Sequence, residues 1–168
     1  MKPALLVIDL QKDFFSGDPI KVTSLNNAVQ YTNYAIELFR EKSLPIISIQ
    51  HINEHNNLVP GTVGFELPDD LDILDSDIHI HKKRGNAFIN TPLLDELKKM
   101  EVDTVFISGF KAENCVLSTY RGAADLDLNP IIIRGSIASD SVESVHFIER
   151  INELISINAL ELFLENLS

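Results

Sequence analysis

Pro3-Ala4-Leu5-Leu6-Val7-Ile8-Asp9 holds five consecutive apolar residues and then a carboxylate. A short, continuous apolar run of this kind suits a strand buried on both faces, as in a parallel sheet. Similar runs recur outward from it. PIISIQH (45–51) opens on a proline, DIHIHK (77–82) alternates, DTVFISG (103–109) ends in glycine, and PIIIR (130–134) again opens on a proline. Helical spacing fills the gaps. Residues 25–42 repeat Leu25, Val29, Ala35, Ile36 and Phe39 at helical intervals. LLDELKKM (93–100) follows Thr91-Pro92, which predicts Thr91 as N-cap and Pro92 as the first helical residue. Helices are also expected over 113–128 and 140–156, and ALELFL (159–164) reads as a last strand or a helical tail, with the strand preferred. Residues 52–75, with Pro60-Gly61, Gly64 and Pro68, form a long excursion rich in turn signals.

Strands alternating with helices of this length predict βαβ units. The expected fold is three-layer α/β/α around a mostly parallel, Rossmann-like sheet. No linker, repeat or shift in composition divides the sequence, so one domain over residues 1–168 is expected.

Composition narrows the function classes. The chain is 45% hydrophobic and 23% charged, which excludes a disordered chain, and one cysteine cannot form an internal disulfide. Fourteen basic against twenty-five acidic residues give a net charge of −11. The tightest basic cluster is Lys82-Lys83-Arg84, too little for a phosphate backbone or an anionic bilayer, so neither nucleic acid nor membrane is expected as a partner. No apolar run reaches the ~18 residues of a membrane span. The apolar stretch near Met1 is too short for a signal peptide, and a cytoplasmic location is expected.

In parallel α/β sheets, ligands bind beyond the carboxyl ends of the strands. Three reactive groups fall there: Asp9, the pair Lys82/Lys83, and Cys115, six residues past Gly109. A carboxylate at the end of a buried strand requires a pairing cation or a proton. Burial would also raise its pKa toward the range of a useful general base. Strand alternation sends the two lysines to opposite sides, so only one of them reaches such a site. A cysteine at a helix start meets the positive end of the dipole, which lowers its pKa, and backbone N–H groups there are free to bind an oxyanion.

Together these segments carry a family resemblance. ALLVIDLQKDFF resembles an apolar strand followed by D-x-Q-x-D-F. KKRGNAFINTPL is similar to K-x-x-x-[SN]-[AG]-F-x-x-T-x-L, and ISGFKAENCVLSTYRGAADLDLNPIIIRGSIAS to G-x-x-T-x-x-C-V-x-x-T-x-x-x-A-x-x-x-G. QHINEHNNLVPGTVGFEL resembles Q-H … P-G-T-x-G-x-E-L. These are the motifs of the isochorismatase-like cysteine hydrolases, which include nicotinamidases and N-carbamoylsarcosine amidases, and they occur here in the family's order.

The resemblance implies a hydrolase that cleaves a C–N, amide-type bond of a small molecule through a thioester. Cys115 would be the nucleophile, Asp9 the general base and Lys82 the third member of the triad, with Lys83 the alternative if the register slips by one. The backbone N–H groups of Lys111 and Cys115 would form the oxyanion hole, beside a cis peptide at Phe110–Lys111. It also implies a homo-oligomer, a dimer or larger. Gln11, Phe14, Phe88 and Phe110 are expected around the substrate. Ala112, Asn114 and Gly135 depart from the residues common in the family (Thr, Tyr and Asp), which bears on pocket shape. Nicotinamidases hold a metal through an Asp-x-His segment and a further His. Here His51 and His55 remain without the acid, so both are read as surface histidines, and neither a catalytic metal nor a cofactor is expected. His79 and His81 share one strand face and are read as structural. The other reading is a catalytically silent family member that serves in binding or assembly. A nucleotide-binding domain lacks support, because neither G-x-G-x-x-G nor a P-loop occurs, and Gln11 breaks the D-x-D-x-T pattern of aspartyl phosphatases.

Overall fold

A computed structural model describes residues 1–167. Six strands form one sheet: β1 Pro3–Ile8, β2 Ile46–His51, β3 Ile78–Lys82, β4 Thr104–Phe110, β5 Asn129–Ala138 and β6 Leu154–Ile155. Their order is β3-β2-β1-β4-β5-β6, and every neighbouring pair is parallel. Five α-helices flank them: α1 Pro19–Glu41, α2 Leu93–Lys99, α3 Leu117–Asp125, α4 Val142–Ile151 and α5 Ile157–Glu165. This is the three-layer α/β/α fold expected from the alternation of patterns.

The buried strands supply both cores because successive side chains point to opposite faces. In β1, Ala4, Leu6 and Ile8 pack toward α2, α3 and α4, meeting Leu97, Tyr120 and Ile148. Leu5 and Val7 point the other way, toward α1 and α5, meeting Ile36, Phe39 and Leu160. Parallel pairing brings Ile8 opposite Ile49 on one side and Gly109 on the other. Gly109 has φ +126°, and a Cβ there would lie 2.0 Å from the Ile8 carbonyl oxygen, so only glycine fits where β4 leaves the sheet.

The elements differ from expectation in five places. ALELFL is helical within α5. Ser156 caps that helix by accepting from the Ala159 N–H at 3.3 Å; Leu160 and Leu164, four apart, are buried while Leu162 is 61% exposed. The core-facing spacing there is four, a helical interval, although leucines also recur at intervals of two. α1 begins at Pro19, not near Leu25, because its first turn is solvent-facing and carries no apolar period; Asp18 caps it by accepting from the Ile20 N–H. α2 begins at Leu93, one residue past Pro92, with the Thr91 hydroxyl accepting from the Leu93 N–H at 3.3 Å. The segment expected as a helix from 113 starts with one π-type turn, Ala112–Val116, and runs on as α3 only to Asp125. Residues 140–156 divide into α4 and the two-residue edge strand β6. Among the described residues no helix is long and apolar enough to cross a membrane.

Candidate active site

The carboxyl edge of the sheet collects the reactive side chains. Asp9 directly follows β1, His51 ends β2, Lys82 ends β3, and Cys115 lies in the π-type turn that joins β4 to α3. Asp9 adopts a left-handed backbone conformation, φ 52°, which Asp tolerates better than most residues. Its N–H donates to the Ile49 carbonyl at 2.8 Å. Its carboxylate is buried, and Oδ2 accepts from Lys82 Nζ at 2.8 Å. The Lys82 side chain has no exposed surface, so the two charges depend on each other. Alternation along β3 separates the lysines, since Lys83 is exposed and pairs with Glu54 at 2.5 Å.

Lys82 Nζ also lies 3.1 Å from His51 Nδ1. An ammonium only donates, so Nδ1 accepts and the imidazole is neutral in this arrangement. Burial and the Lys82 charge both push the His51 pKa below its ordinary value. Burial pushes the Asp9 carboxyl above its ordinary value against the pull of Lys82. Cys115 is pushed up to about 12, first by burial and then by the negative charge of Asp9. This direction is opposite to the lowering expected from a helix start: burial and the Asp9 charge both favour the protonated thiol. The donor atoms of Asp9, His51 and Cys115 all lie within 4.8 Å of one another.

These groups open onto a cleft of about 230 Å³. Phe14 and Phe110, with ring centroids 4.9 Å apart, form one wall, and Asn53, Asn56, Leu58 and Asn114 contribute to the rest. A larger concavity of about 730 Å³ lies between α1, β5 and α4, but no cysteine, histidine, acid or base lines it. The smaller cleft is the one that Asp9, His51 and Cys115 line together. The Phe110–Lys111 peptide is cis. The Lys111 ammonium reaches Asp140 at 2.5 Å and Glu113 at 3.5 Å, and the Ser139 hydroxyl donates to Glu113, tying the link after β4 to the end of β5.

Other residues read from the sequence sit elsewhere. Gln11 is fully buried behind the cleft; its amide donates to the His51 and Phe65 carbonyls and accepts from the His51 N–H, fixing the end of β2. Phe88 packs on the core beneath α2 and α3 and does not line the cleft. His79 meets the Leu74 carbonyl, and His81 packs edge-on against Phe65. His55 is exposed on the short turn Glu54–Asn56. His51 corrects its reading as a surface histidine: it is half-buried and touches Lys82. The strand-end rule that singled out Asp9 applies equally to the last residue of PIISIQH and would have found it.

A family model described as the isochorismatase domain matches residues 3–155. The chain belongs to the isochorismatase family. YrdC of Bacillus subtilis (strain 168), an isochorismatase family protein, is 32% identical over 142 residues, covering 82% of this chain and 74% of YrdC. The crystal structure of an isochorismatase-like hydrolase from Alkaliphilus metalliredigens superposes with TM-score 0.86 at 23% identity, covering 97% of this chain and 99% of that one. The N-carbamoylsarcosine amidase of Thermoplasma acidophilum superposes with TM-score 0.81 at 23% identity, covering 94% and 98%. At that identity the structural likeness establishes the fold. Membership of the family makes this chain an isochorismatase-like hydrolase.

Proposed function

We propose that the protein is a cysteine hydrolase that cleaves the C–N bond of a small amide through a thioester, using Asp9, Lys82 and Cys115. The observation that carries this reading is the buried Asp9–Lys82 pair at 2.8 Å beside the Cys115 sulfur, at the floor of a cleft sized for a small molecule. The resting thiol must lose its proton as it attacks, and Asp9, raised by burial, is the base within reach. The Cys115 sulfur bonds to the carbonyl carbon while its proton passes to Asp9. The carbonyl oxygen becomes an oxyanion that accepts from the backbone N–H groups of Lys111 and Cys115; a donor of this type is worth about 3–4 kcal/mol. The C–N bond breaks, and the amine departs with the proton held by Asp9. Asp9 then takes a proton from a water whose oxygen bonds to the acyl carbon; the C–S bond breaks, the carboxylic acid leaves, and Asp9 returns the proton to the Cys115 sulfur. Lys82 holds the carboxylate in place and offsets its charge throughout.

Phe14 and Phe110 favour an apolar or planar substituent on the amide. The reading carries with it a homo-oligomeric state and a cytoplasmic location. A panel of small amides scored for ammonia release tests it. Hydrolysis of at least one member is expected, and Cys115→Ala should abolish it while the far-ultraviolet dichroism stays unchanged. Activity that survives in Cys115→Ala removes the sulfur from the mechanism.

A further inference from the structure

We propose that Asp9, His51 and Cys115 also form a site for one thiophilic divalent cation of the zinc or cadmium class, whose binding silences the nucleophile. Metal binding at these residues does not require the hydrolase reading, whereas its effect on the nucleophile rests on that reading. In sequence, His51 and His55 lacked an acid to complete a metal set. The fold supplies a different set, because His55 is exposed on its turn while β1 brings Asp9 to His51 and the π-type turn brings Cys115. Carboxylate oxygen, imidazole nitrogen and thiolate sulfur are all zinc ligands, and three protein ligands with a fourth position open to water is a common arrangement. Thiolate and imidazole together select soft or borderline ions over magnesium or calcium.

A second observation points to a ligand. Asp9 Oδ1 is buried and, among the described residues, has no hydrogen-bond partner of good geometry, although Oδ2 of the same carboxylate is held by Lys82 and the Cys115 thiol lies beside the carboxylate. A buried carboxylate oxygen left unpaired is costly, and a cation in the cleft would satisfy it. Zinc bonds of ~2.0–2.3 Å require closer donors than the 4.8 Å limit of the trio. His51 and Cys115 are half-buried, and ligation requires both to draw closer to Asp9. Lys82 is the opposing charge. The proton lost from the thiol offsets it: Cys115–SH releases H⁺ to solvent, sulfur bonds to the metal, and nothing is oxidised. With the sulfur ligated and the Asp9 oxygen occupied, neither group is free to start the attack.

Cadmium titration of the intact chain tests the proposal, since Cys115 is the single cysteine and any sulfur-to-cadmium charge-transfer absorption reports on it alone. One cadmium per chain is expected, with the band absent in Cys115→Ser and unchanged in His55→Gln. His51→Gln should weaken binding at least ~10-fold, the loss that even an outer partner of a metal ligand produces. A pH-stat on the intact chain, which needs no variant to fold, should record about one proton released per metal bound. Absence of the band at one equivalent overturns the proposal, and so does absence of proton release or undiminished binding in His51→Gln. A chain that hydrolyses amides but shows no band overturns this inference alone. A chain that binds cadmium but hydrolyses nothing overturns the hydrolase reading alone.

Discussion

Lys82 has no exposed side-chain surface, and the Asp9 carboxylate is its ionic partner. Removing one member of a buried pair strands the other's charge and costs about 3–5 kcal/mol. Lys82→Met should lose stability on that scale in urea unfolding, and Asp9→Asn combined with Lys82→Met should recover part of it. The deficit has a definite pH dependence. Asp9 binds its proton more tightly folded than unfolded, so the contribution from its protonation is present at low pH and is lost as pH rises through the folded pKa. The Lys82→Met deficit should therefore shrink on acidification. The same shift sets the acid limb of kcat/KM: a base that must be unprotonated and whose pKa is raised loses activity at a pH above the ~3.9 of an ordinary aspartate. Cys115 makes a complementary prediction. With its pKa pushed up to about 12, iodoacetamide should label it more slowly at pH 7 than a free cysteine, and the rate should climb through alkaline pH. Fast labelling at neutral pH would show that the dipole, and not burial, sets its state.

Elements were legible wherever burial imposed a period. β1, β2 and β4 bury nearly every residue and read as apolar runs, and α1 was found through Leu25, Val29 and Phe39. Where burial imposed none, boundaries slipped: the exposed start of α1 has a capping signal but no apolar stripe. α5 failed for the opposite reason. Leu160, Leu162 and Leu164 present a strand's alternation, yet only the first and last face the core. The difference is measurable. Leu160→Ala should cost ~2–5 kcal/mol, as deletion of a buried leucine does, whereas Leu162→Ala should stay within about 0.5 kcal/mol as a surface change. Equal losses in urea unfolding would return this segment to a strand. At the site, Asp9, Lys82 and Cys115 were readable because reactive types stood at strand ends. The wall residues Asn53, Asn56 and Leu58 were not, because they come from the 52–75 excursion, whose path is set by tertiary bonds such as Gln11 to the Phe65 carbonyl.

Across the whole molecule, the sheet couples the site to both helical layers. β1 and β4 are its central strands, and each sends alternate side chains into each core: Leu6 and Ile107 to one, Leu5 and Phe106 to the other. Neither layer of helices can leave without exposing one face of the same strands, and those strands carry Asp9 and the approach to Cys115. Residues 1–168 are therefore proposed to unfold as one cooperative unit. No tryptophan is present, so the natural probes are far-ultraviolet dichroism for the helices and the fluorescence of the three tyrosines. Tyr31 and Tyr34 lie on α1, and Tyr120 lies on α3 on the opposite side of the sheet. Loss of either layer alone would thus move the two signals apart. Their urea transitions should coincide, and Leu5→Ala and Leu6→Ala should each shift both midpoints together. Separate midpoints would show that the helical layers melt independently and that the site outlives one of them.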